Sequence, residues 1–220
     1  RTAEKAGIQG ILIRNTVQMM QDVMDVTGRE FFDIMDDKGV PTGQIKERTL
    51  VHQKGDIHGT SHVWIGRTSK DNFSGVELLL QKRSAEKDSH PGCYDTSSAG
   101  HIPTGQGYLE SALRELQEEL GLTAAPDDLT CISLHEGDSQ AQFYGKPFNN
   151  HEISKVYVYQ KPLDIKQLTL QKEEVESVCW MDAEIVMERL KAGDKKFCMY
   201  LDEVEMVVEY FRQQKVSSEN

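Results

Sequence analysis

Glu115, Glu118 and Glu119 stand at i, i+3 and i+4, so a helix through them projects three carboxylates from one face. Like charges that close weaken an isolated helix. A hard divalent cation removes the conflict, because it takes carboxylate oxygens together with water and phosphate oxygens. The chemistry such a face supports is metal-assisted attack of water on phosphorus. A solvated acidic face, with Arg114 paired to Glu118 four residues on, is the alternative these residues alone leave open. Lys82, Arg83 and Lys87 form a short basic run ahead of Pro91-Gly92. It reads either as a clamp for phosphate oxygens or as a solvated strand end.

The elements that must carry these groups are legible in outline. Leu109, Leu113, Leu116 and Leu120 repeat at i, i+4, i+7 and i+11, which predicts a helix over 107–120 with Gly121 as its C-terminal cap. Strands are predicted at 31–35, 45–52, 62–67, 76–82, 129–135, 153–160 and 175–181, and closing helices at 182–191 and 198–213. Ile13, Val17, Met20 and Met24 mark an amphipathic helix within 8–27, read as a packed arm or as a homodimerisation helix. The fold class is therefore α/β (α+β): a sandwich built on a mixed sheet with one central helix and flanking helices. Residues 1–28 form an N-terminal helical extension, 29–213 one domain, and 214–220 a disordered tail.

Gly100, Gln106 and the run Arg114-Glu115-Leu116-Gln117-Glu118-Glu119-Leu120-Gly121-Leu122 resemble the Nudix box, Gly-x5-Glu-x7-Arg-Glu-U-x-Glu-Glu-x-Gly-U, where U is aliphatic. One fixed position departs: Gln106 replaces the first Glu. The resemblance implies a Nudix-like α/β/α sandwich, a loop–helix–loop metal site and hydrolysis of a diphosphate linkage. Glu118 and Glu119 would ligate Mg²⁺ or Mn²⁺, and Glu115 would be a further ligand or the base that orients water. The carbonyl of Gly100 would approach the metal, and Arg114 would hold the cluster. Gln106 accepts a hydrogen bond but cannot form a charged pair, which implies a slower enzyme of the same class.

Outside the box, Gly39-Val40-Pro41-Thr42-Gly43, His58, Trp64, Lys82-Arg83, Lys87, Pro91-Gly92, Gly100-His101, Glu152 and Trp180 are similar to type 1 isopentenyl-diphosphate isomerase, a Nudix-fold enzyme. That similarity makes Arg83 and Lys87 the diphosphate grip and Glu152 a catalytic glutamate. His58 and His101 fall on metal-ligand positions and would contact metal or substrate. The match is partial. A third histidine position aligns with Val51, next to His52, and further basic contacts align with Glu47 and Glu115. Asn150 replaces a metal-binding Glu. The catalytic cysteine position is Ala99, and a methyl group cannot move a proton; Cys93 is the nearest thiol in sequence. His52, His62, His90, His135 and His151 read as polar surface or satisfied core.

Composition sets the remaining bounds. Lys plus Arg is 25 and Asp plus Glu 36, a formal charge of −11, which argues against sequence-independent binding to nucleic acid or anionic membrane. It leaves room for a small-molecule diphosphate gripped by a few local cations. No segment reaches the roughly 18 apolar residues of a membrane span, the first residues lack an apolar leader core, and four dispersed cysteines suggest free thiols. A cytoplasmic protein is the expectation. Three readings stand: a diphosphate hydrolase, an isopentenyl-diphosphate isomerase lacking its thiol at Ala99, and a diphosphate-binding module of low activity.

Overall fold

The computed structural model describes residues 28–69 and 74–218, with side chains through Gln214. The expected helix within 8–27, and the dimer contact assigned to it, lie outside the described residues. Nine strands and four helices follow in the order β1 (Phe31–Met35), β2 (Pro41–Glu47), α1 (Arg48–Lys54), β3 (His58–Thr68), β4 (Val76–Arg83), β5 (Tyr94–Asp95), β6 (Ser98–His101), α2 (Tyr108–Leu120), β7 (Leu129–Phe143), β8 (Lys146–Tyr159), β9 (Val175–Asp182), α3 (Ala183–Lys191) and α4 (Leu201–Ser218).

β3 is the hub of a mixed sheet. It runs parallel to β8, from His58 opposite Glu152 to Ile65 opposite Tyr159. It is antiparallel to β6, β4 and β1. Alternate residues on these strands enter two different cores, as the two-residue strand period requires. Val63, Ile65, Leu79, Tyr157 and Tyr159 pack with Leu116 and Leu120 of α2. Trp64, Leu78, Leu80, Val156 and Val158 pack on the opposite face with Val186 of α3 and with Val204, Val207, Val208 and Phe211 of α4. The result is the expected sandwich, with α2 on one side of the sheet and α3 and α4 on the other.

The expected strand over 45–52 is corrected. β2 stops at Glu47, and residues 48–54 form a helix closed by Gly55, which adopts φ 68° and donates its N–H to the Val51 carbonyl. Leu50 and Val51 are too few apolar residues to distinguish the helical period from the strand period. The signal that separates them is Gly55, a C-terminal cap glycine in the left-handed region. The two-residue β5 and four-residue β6 carry too little pattern to be found in sequence. β7 and β8 run further than expected because they form one long hairpin, turning at Tyr144-Gly145. α4 starts three residues later than expected and continues to Ser218. Among the described residues, no helix is long and apolar enough to cross a membrane.

Candidate active site

A cleft of about 780 Å³ opens between α2, the β6 edge and the β7–β8 hairpin. On one wall α2 presents its three carboxylates. Glu119 is 6% exposed; its Oε2 accepts from Ser98 Oγ at 2.7 Å and from the Ala99 N–H at 3.3 Å. Burial, reinforced by the neighbouring Glu115, pushes its carboxyl up to about 8. Burial likewise raises Glu115 to about 7, against the pull of Arg114. Arg114 ties the face together: it reaches Glu115 Oε1 at 2.9 Å and Glu118 Oε2 at 2.8 Å, while its Nε donates to Gln106 Oε1 at 3.4 Å. Gln106 thus supplies the hydrogen bond expected of it, without a charge. Gly100 faces Glu115 so closely that a Cβ there would collide with the carboxylate. Two raised carboxyls side by side on one helix face lack a full complement of positive charge, a lack that a hard dication would fill.

Behind the adjacent wall lie His52, His58 and His101, with one ring nitrogen from each within 4.8 Å of the others. His52 Nδ1 donates to the Arg48 carbonyl at 3.0 Å and His58 Nδ1 to the Asp56 carbonyl at 3.1 Å. A carbonyl oxygen only accepts, so both rings carry their proton on Nδ1 and turn an Nε2 lone pair inward. Neither Nε2 has a hydrogen-bond partner. Burial depresses all three rings, His58 to about 4, and so favours their neutral form. Neutral imidazoles oriented by carbonyls through Nδ1 are the arrangement that metal-ligating histidines take.

His58 is fully buried and not part of the cleft wall. Phe32 stacks over it at 5.6 Å and His101 lies against it at 5.2 Å, so of its two expected contacts, metal or substrate, its position beside His52 and His101 suits the metal. His101 does line the cleft. His52, read from sequence as bland, joins the cluster because 48–54 is a helix. The same segment brings Arg48 to the cleft, where it pairs with Asp88 at 2.9 Å. Two of the departures noted in sequence are offsets of one residue: His52 stands beside Val51, and Arg48 beside Glu47.

The basic residues meet the carboxylates across the cleft. Arg83 is held by Asp95 at 2.9 Å and by the Ser89 carbonyl at 3.1 and 3.2 Å, and Lys87 pairs with Glu174. Burial works against the Arg83 charge, but Asp95, Cys198 and Glu119 together outweigh it and hold the guanidinium above its ordinary value. Ala99 lines the cleft with no thiol, and Cys93 is turned onto the Lys195 carbonyl at 3.3 Å. The cysteine that does line the cleft is Cys198, which sequence reading passed over. Opposite α2, Glu152 from β8 shares its end of the cleft with His62, Tyr200 and Glu203. His62 Nε2 lies 3.7 Å from Glu152 Oε1. Sequence gave no sign of this group, because Glu203 stands 141 residues from His62.

A family model described as NUDIX domain matches residues 63–201. The chain is 39% identical over 173 residues to Nudix hydrolase 3 of Arabidopsis thaliana, across 78% of this chain and 22% of that one, so it spans less than a quarter of that relative. It is 26% identical over 155 residues to an isopentenyl-diphosphate Delta-isomerase of Cereibacter sphaeroides, across 70% of this chain and 80% of the relative. The crystal structure of DR0079 from Deinococcus radiodurans superposes with a TM-score of 0.57 at 19% identity, over 80% of this chain and 98% of that one, a likeness of fold.

Proposed function

The chain belongs to the NUDIX family, and from that premise we propose that it hydrolyses a diphosphate linkage in a small organic diphosphate, either a nucleoside di- or triphosphate or an isoprenoid diphosphate. The observation that carries this reading is the meeting, in one cleft, of the Glu115, Glu118 and Glu119 face with Arg83 and Lys87. Glu115, Glu118, Glu119 and the Gly100 carbonyl would hold Mg²⁺ or Mn²⁺; the oxygen-only donor set and the raised carboxyls suit such an ion. When bound, the ion polarises the diphosphate and acidifies the attacking water.

The protein's own groups do the rest. Arg83 and Lys87, with Arg48 and His101 alongside, grip the phosphate oxygens and offset charge on the leaving phosphate. As the water oxygen bonds to phosphorus and the bridging P–O bond breaks, a carboxylate oxygen of Glu152 takes the water proton, Glu115 being the other candidate. Arg114, braced by Gln106, keeps the α2 carboxylates in place.

Glu118→Gln and Glu119→Gln test the assignment. Each is expected to lower metal-dependent phosphate release by at least about 10³-fold with an unchanged far-UV spectrum. Unchanged turnover in either variant would remove the α2 face from the reaction.

One observation favours a second reading. The His52–His58–His101 cluster beside Glu152 is the arrangement that similarity to the isomerases implies, and isomerisation of isopentenyl diphosphate is the activity it would serve. Ala99 argues against it, since the cleft offers no thiol at that position.

A further inference from the structure

A buried ion pair at the Glu152 end of the cleft is not explained by metal or phosphate binding. Glu203, in the first turn of α4, is 1% exposed. His62 Nδ1 donates to both of its oxygens, each at 3.0 Å, and Trp64 Nε1 donates to Oε1 at 2.6 Å. Such a pair is a poor way to stabilise a core, since well-packed apolar residues of similar volume serve as well or better. Its presence calls for another use.

The free end of the pair points to that use. His62 Nε2 lies 3.7 Å from Glu152 Oε1 and 3.4 Å from Ser154 Oγ, which shares a 2.6 Å hydrogen bond with Thr60. A carboxylate, an imidazole and a second carboxylate thus run in line from the core to the cleft. Burial opposes a charge on His62, but Glu203 and then Glu152 outweigh it and raise the ring to about 9. Asp95 of β5 adds to this effect. His135 of β7 faces Glu203 from the far side, with Nδ1 at 3.3 Å from Oε2.

We infer that His62 and Glu203 are positioning residues for Glu152: the imidazolium, fixed by Glu203, pairs with the Glu152 carboxylate and keeps it aimed at the attacking water. This rests on the hydrolase reading above. His62 keeps both its protons throughout; the water proton goes to Glu152 and then to solvent, so nothing else is consumed.

The test is steady-state kinetics on the full chain with Mg²⁺ and a hydrolysed diphosphate, for His62→Gln, Glu203→Gln, Glu152→Gln and the double variants. His62→Gln and Glu203→Gln are each expected to lower kcat about 10²-fold with KM within about twofold. Adding either to Glu152→Gln is expected to cost no more than about twofold, because residues that act as a unit are not additive. Losses that multiply in the double variants would overturn the inference. ¹⁵N-histidine NMR of the unmodified protein near pH 7.5 gives a readout independent of turnover and of how the variants fold. Both His62 ring nitrogens are expected to be protonated, and a neutral ring would overturn the inference as well. A wild-type protein that hydrolyses no diphosphate would sink the hydrolase reading and the positioning role with it, while leaving the imidazolium in the spectrum.

Discussion

Glu115 and Glu119 bind their protons more tightly in the folded chain than in the unfolded one, where a glutamate titrates near its ordinary 4.5. For an acid raised in this way the sign is fixed. Above 4.5 the unfolded chain gives up protons that the folded chain keeps, so metal-free stability falls as the pH climbs toward the folded values of about 7 and about 8. A divalent ion bound between them would reverse that loss. The melting temperature without metal is therefore expected to drop between about pH 5 and pH 8, and the rise on adding Mg²⁺ to be larger at pH 8. Glu119→Gln should flatten both dependences, and a Mg²⁺ effect equal at the two pH values would contradict the assignment. The three carboxylates were readable from spacing alone, because i, i+3 and i+4 on a helix is a local rule. His62 and Glu203 were not, because the sheet and α4 bring them together across 141 residues.

The elements differ in how much sequence they need to declare themselves. α2 has thirteen residues, a leucine stripe and a capping glycine with φ 66°, so its face and its end were both legible. α1 has seven residues, fewer than two turns of pattern, and its misreading as strand hid His52 and Arg48 together. β6 was invisible, yet it decides how α2 docks: Ser98 and Ala99 bond to Glu119, and Gly100 passes against Glu115. Gly100→Ala tests that docking. The added methyl must displace the Glu115 carboxylate, so the variant is expected to keep its far-UV spectrum while losing most Mg²⁺-induced stabilisation and at least about tenfold in turnover. A variant with undiminished metal response would show that the approach of β6 to α2 is not needed.

At the scale of the whole fold the sandwich and the mixed sheet were legible in the sequence, because β3, β4 and β8 carry strong apolar runs that need cover on both faces. It could not give the cleft. That feature exists only where β3 sets β6 and β8 side by side and the β7–β8 hairpin rises beside them. Two donor sets meet there: oxygen donors on α2, and imidazoles behind His101. The first suits hydrolysis and the second suits a metal held by histidines, so the reaction itself must decide which one governs. A combined ³¹P and ¹H NMR time course with Mg²⁺, on isopentenyl diphosphate, CDP and CTP, reads both chemistries at once. New phosphate resonances on at least one substrate, absent without metal, are the expected result. A shifted double bond with intact phosphorus signals would contradict the hydrolase account and hand the site to the histidine cluster.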